Sequence, residues 1–176
     1  MERTRRSPAF PKLQSFPNLC RITLHNTQRD LPLSMRALRE VISFFIRELQ
    51  IQTSEVIFHF VSERKIIRLH KEFFNDPTST DCITFPLDSP TEQHPFHILG
   101  EAFICPKTAC TYARQHKGDP HLELYRYIVH CLLHLIGYDD IDPEERKSMK
   151  RKENTCLKKL QKSQLEEFLL RKKFLD

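Results

Sequence analysis

The chain has 176 residues, 39% of them hydrophobic and 29% charged, a balance that fits one folded domain with a real core and excludes a disordered chain. Its formal net charge is +5, and no apolar run approaches the roughly 20 residues needed to cross a bilayer. Only three glycines occur, Gly100, Gly118 and Gly137. They are too far apart for a phosphate-cradling loop or a dinucleotide fingerprint, and no G-x-S-x-G elbow is present.

The first residues carry Arg3, Arg5 and Arg6 with no apolar stretch behind them, and Pro8, Pro11 and Pro17 interrupt any targeting helix. Residues 1–17 therefore read as a flexible extension ahead of a single domain over 18–176. Cysteines stand at positions 20, 82, 105, 110, 131 and 156, several of them inside apolar runs. Without an export signal they read as buried, reduced thiols, and the expected compartment is the cytoplasm.

In chain order, residues 20–25 suit a first strand. Residues 33–49 carry a helical apolar stripe (Met35, Leu38, Val41, Ile42, Phe45, Ile46, Leu49) behind the capping candidate Ser34. Residues 55–61 are rich in β-branched and aromatic types and predict a strand. A helix over 62–73 follows, opened by Ser62 and stopped before Asn75-Asp76-Pro77. Residues 82–85 predict a short strand closed by Pro86, and residues 98–105 a fourth strand after a polar loop. Three helices complete the chain, over 107–116, 121–136 and 143 to about 173. The expected class is α+β, a small mixed sheet of about four strands packed with several helices.

The informative segment is Ile128-Val129-His130-Cys131-Leu132-Leu133-His134-Leu135-Ile136-Gly137-Tyr138-Asp139-Asp140. His130 and His134, at i and i+4, share one face of a helix about 6 Å apart in rise, close enough for one ion. Gly137 lets the chain leave the helix sharply, and Asp140 can then swing back as a third ligand. Two imidazoles and a carboxylate suit one Zn2+ with a position left open for water, which points to a metal-dependent hydrolase. The surrounding apolar residues bury this helix, and buried imidazoles need partners. A competing set, Cys105 and Cys110 with the two histidines, would make a closed structural zinc site but leaves Gly137 and Asp140 without a purpose.

The H-x3-H-x2-G spacing is also that of metzincin proteases, yet the general-base Glu those carry after the first His is here Cys131. More of the chain resembles the YbeY family of rRNA maturation endoribonucleases, whose signature is H-G-x-L-H-L-x-G-Y-D-H. His130, Leu133, His134, Leu135, Gly137, Tyr138 and Asp139 match it by position. Thr80-Asp81-Cys82-Ile83-Thr84-Phe85-Pro86 resembles that family's T-[DN]-V-L-S-F-P, and Leu99-Gly100-Glu101 with Ile104 resembles its L-G-D-I-x-I strand. Three of the departures from the pattern bear on the site. Cys131 replaces a Gly, Asp140 stands where the third metal-binding His is expected, and Phe74 stands near where the family usually has an Arg implicated in activity.

The resemblance implies a zinc-dependent endoribonuclease, specific for single strands, that acts on rRNA or ribosomal subunits during small-subunit rRNA maturation. A non-catalytic RNA-associated factor with a structural metal is the alternative the Phe74 and Asp140 departures favour. Asp139 is expected to be structural, and no general base is assigned. Arg146 to Lys173 holds eleven Lys/Arg against three Asp/Glu, a charge pattern that suits RNA but also an ordinary solvated helix. Arg114, His116, Lys117 and Arg126, interleaved with Tyr125 and Tyr127, form a second basic group whose rings suit either base stacking or the core.

Overall fold

The structure is a computed structural model that describes residues 20–89 and 95–163. The extension expected over 1–17 and the part of the last helix expected over 164–173 lie outside the described residues. Nine elements follow one another: β1 (Arg21–Asn26), α1 (Met35–Glu48), β2 (Glu55–Phe60), α2 (Glu63–Phe74), β3 (Cys82–Pro86), β4 (Ile98–Ile104), α3 (Pro106–His116), α4 (Pro120–Leu135) and α5 (Pro143–Lys162). The four strands form one sheet in the order β1-β2-β4-β3. β1, β2 and β4 run parallel and β3 is antiparallel to β4. This is the α+β architecture with a mixed sheet that the residue pattern predicts.

Alternation along the strands decides what each face of the sheet meets. Val56, Phe58 and Phe60 of β2 are fully buried and pack with Val41, Ile42 and Phe45 of α1 and with Ile128 and Leu132 of α4. On the opposite face Ile83 of β3 joins Ile66 and Leu69 of α2 in a smaller cluster. Helix starts follow their caps. Ser34 accepts from the Ala37 amide, Asp119 from those of His121 and Leu122, and Asp142 from those of Glu144 and Glu145. Ser62 holds the N-cap position of α2, but its hydroxyl makes no capping bond.

α4 is the central helix. Ten of its 16 residues are buried, and it packs against α1, α3, α5, β3 and β4. Gly100 sets how closely its C-terminal end sits on the sheet. A Cβ at that position would fall 2.5 Å from the Phe85 carbonyl oxygen and 2.6 Å from Leu135 Cδ2. No helix among the described residues is long and apolar enough to cross a membrane.

Candidate metal centre

The end of α4 is built by its own sequence. Gly137, at φ +94°, donates its amide to the His134 carbonyl at 2.9 Å, and Tyr138 N–H reaches back to the Leu133 carbonyl at 3.0 Å. These paired bonds are the Schellman arrangement, and glycine supplies the positive φ it needs. The turn also aims the Tyr138 carbonyl at the ring above it, where His134 Nδ1 lies 3.0 Å away. Asp139 then accepts from the amides of Asp140 and Ile141 at 2.7 and 3.2 Å. Its part is to fix the turn, and Arg146 holds the same loop by donating to the Asp140 carbonyl at 2.8 Å.

His130, His134 and Asp140 come together, with one ligand atom from each lying within 4.8 Å of the others, and they are the one such group among the described residues. The two Nε2 atoms are 3.0 Å apart, and Asp140 Oδ1 is 4.0 Å from His134 Nε2. Side-chain exposure rises from 19% at His130 to 24% at His134 and 42% at Asp140, so the site opens to solvent on the Asp140 side.

The hydrogen bonds fix which nitrogen is bare. A carbonyl oxygen only accepts, so His134 Nδ1 carries its hydrogen and donates to Tyr138. His130 Nδ1 faces Glu153 Oε1 at 2.7 Å and donates likewise. With both rings neutral, each points an Nε2 lone pair at the other 3.0 Å away, and either a proton shared between the two nitrogens or a bound cation relieves the repulsion. The donor set fits a divalent ion: tetrahedral Zn–N bonds place two imidazole nitrogens about 3.3 Å apart.

Glu153 is the residue the sequence reading missed. It comes from α5, is 7% exposed, and lies 3.8 Å from Arg126 Nη1 as well as against His130. Arg126 is held in turn by Glu123 at 3.4 Å and by Asn154 at 2.9 Å. Burial alone would depress the His130 pKa, but the hydrogen bond and charge of Glu153, aided by Asp81 and Asp140, outweigh it and leave the ring above its ordinary value. One signal was readable: Glu153 sits on the stripe Met149, Glu153, Cys156, Leu157, Leu160 that α5 buries. A lone carboxylate on an apolar stripe asks for a buried partner.

Asp81 ties the start of β3, accepting from Cys82 N–H at 2.8 Å, and its charge reaches His130. Phe74 ends α2 with 58% exposure. Tyr125 and Tyr127 are each 5% exposed and belong to the core, so they are not stacking surfaces. Cys105 packs under α2, and Cys110 leans on the Asp30 carbonyl, so neither joins the histidines. All six cysteines are free thiols.

The profile of the family described as Endoribonuclease YbeY matches residues 22–161. A curated relative of that name from Protochlamydia amoebophila is 44% identical over 143 residues, covering 80% of this chain and 95% of the relative. The one from Chlamydia caviae is 40% identical over 139 residues, covering 77% and 88%. A solution structure of a Thermotoga maritima protein shares the fold at TM-score 0.55 and 23% identity, covering 83% of this chain and 95% of that one. This chain belongs to the Endoribonuclease YbeY family, a family of enzymes.

Proposed function

We propose that this protein is a zinc-dependent endoribonuclease that cuts single-stranded RNA during rRNA maturation, with one ion held by His130, His134 and Asp140. Family membership supports the endoribonuclease activity. The observation that carries the metal is the convergence of two Nε2 atoms 3.0 Å apart with the Asp140 carboxylate, both rings being committed through Nδ1. Two nitrogens and a carboxylate oxygen suit zinc above the harder cations. Residues 18–176 are read as a single catalytic domain. Its six free thiols suit the reducing cytoplasm, where ribosomal subunits are the expected partners.

When bound, the ion supplies Lewis acidity to a phosphate and lowers the pKa of water. The chain's own residues prepare that chemistry. Glu153 and the Tyr138 carbonyl orient the imidazoles through Nδ1, which leaves Nε2 of each ring as the ligand atom. Asp140 adds one negative charge on the solvent side. The site is therefore less cationic than three imidazoles would make it, which moderates its pull on a phosphate. Gly137 and Asp139 keep Asp140 within reach.

The test is cleavage of a single-stranded rRNA fragment, with duplex RNA, chelator treatment and His134→Ala as controls. Cleavage of the single strand alone, lost in the last two controls, is expected. Cleavage that persists with His134→Ala would overturn the assignment.

A further inference from the structure

α3, α4 and α5 enclose a cleft of about 310 Å3 that the metal centre does not use. Arg126 lines it, and Arg126, His130 and His134 succeed one another at i, i+4 and i+8 on one face of α4. About 6 Å of helix rise thus separates Arg126 from the first histidine.

One wall of the cleft is a ring pair. Tyr112 and His116 stack with centroids 4.0 Å apart and planes 20° from parallel, and Tyr112 is 45% exposed. His116 Nδ1 donates to the Tyr112 carbonyl at 2.9 Å, which fixes the pair and leaves Nε2 as an acceptor. The facing wall, from α5, supplies donors. Asn154 gives its oxygen to Arg126, and among the described residues its amide hydrogens have no acceptor and Lys158 makes no ion pair. Leu157 contributes apolar surface between the walls.

The acidic groups of the cleft are already engaged. Glu123 is tied to Arg126 at 3.4 Å, and Asp119 caps α4. The charge left over is cationic, and exposed Arg151 extends the Asn154–Lys158 stripe along α5. An accessible ring, an apolar patch and a cationic rim of donors together match a nucleotide, whose base stacks and whose phosphate accepts.

We propose that this cleft is a subsite for one nucleotide of the single-stranded RNA substrate, with its base on Tyr112 and its phosphate at Lys158. The strand then continues along α4 toward His130. The inference rests on the endoribonuclease reading and adds to it where the RNA lies.

The experiment uses the full chain loaded with zinc. A labelled single-stranded oligoribonucleotide reports binding by fluorescence anisotropy, and initial rates give KM and kcat. Tyr112→Ala should weaken binding and raise KM about 5- to 150-fold, the range of one lost base stack. kcat and bound zinc should hold. Tyr112→Phe, which keeps the ring, should bind like the parent protein. Lys158→Ala should weaken binding and flatten its salt dependence. Parent-like binding by both Tyr112→Ala and Lys158→Ala, with cleavage intact, would overturn the subsite and leave the nuclease reading standing. RNA that binds at Tyr112 but is not cut would support the subsite and count against the nuclease. A parent protein that neither binds nor cuts RNA would overturn both. A free mononucleotide binding as tightly as the oligonucleotide would overturn the assignment to a strand.

Discussion

Glu153→Ala is the substitution that most sharply separates a prepared metal site from two histidines that happen to adjoin. The carboxylate lies 2.7 Å from His130 Nδ1, and its side chain is 9% exposed, so the bond is charge-assisted and little competed by water. Without it His130 keeps its place on α4 but loses the partner that sets its tautomer and ring angle. Loss of such a supporting partner typically lowers metal affinity about 10- to 100-fold, or about 1.4 to 2.7 kcal/mol. Arg126 still has Glu123 and Asn154, so no buried charge is orphaned and the fold should survive. Glu153→Gln keeps an acceptor but not the charge and should fall between the two. Zinc competition against a chromophoric chelator measures the affinity, and circular dichroism checks the fold. Affinity of Glu153→Ala within twofold of the parent, with the fold unchanged, would refute the claim that Glu153 positions His130.

His130→Ala and His134→Ala should each abolish stoichiometric zinc binding. Asp140→Ala should cost more than the about 10- to 100-fold expected of a supporting residue, read by the same chelator competition. Gly100→Ala places a Cβ against the Phe85 carbonyl and Leu135; overpacking of this kind costs about 1–3 kcal/mol and should lower the melting temperature by several degrees. Burial, opposed by Glu101, holds the His59 pKa below its ordinary 6.5. Between those two values the unfolded chain takes up a proton that the folded chain does not, so stability falls as pH drops below about 6.5. His59→Gln should make that acid limb shallower in denaturant titrations, and an unchanged slope would contradict the argument. Chelation should lower the melting temperature, and added zinc should restore it by mass action.

The local parts of this protein were legible in its sequence, because local signals specify them. α4 starts and ends within a residue of the expected 121–136, and the β-branched and aromatic run expected as a strand over 55–61 is β2. The i, i+4 histidines and the glycine exit placed Asp140 in their company, as the structure does. What stayed hidden depends on contacts between residues distant in the chain. Glu153 meets His130 across 23 residues, and nothing in the periodicity of α5 says which helix its buried stripe will face. The choice between stacking and core for the aromatic group stayed open for the same reason. Tyr125 and Tyr127 sit beside Arg126 in sequence, but the inward faces of α4 take them into the core. Tyr112, one helix earlier, is the ring left outside, and only the packing of α3 on α4 decides that.

The most direct test of the metal centre is X-ray absorption at the zinc edge of the purified full-length protein. The account predicts a nitrogen and oxygen shell at about 2.0–2.2 Å with the multiple-scattering pattern of two imidazoles, and its disturbance by Asp140→Ala. A sulfur shell at about 2.3 Å, or a spectrum that Asp140→Ala leaves unchanged, would contradict it.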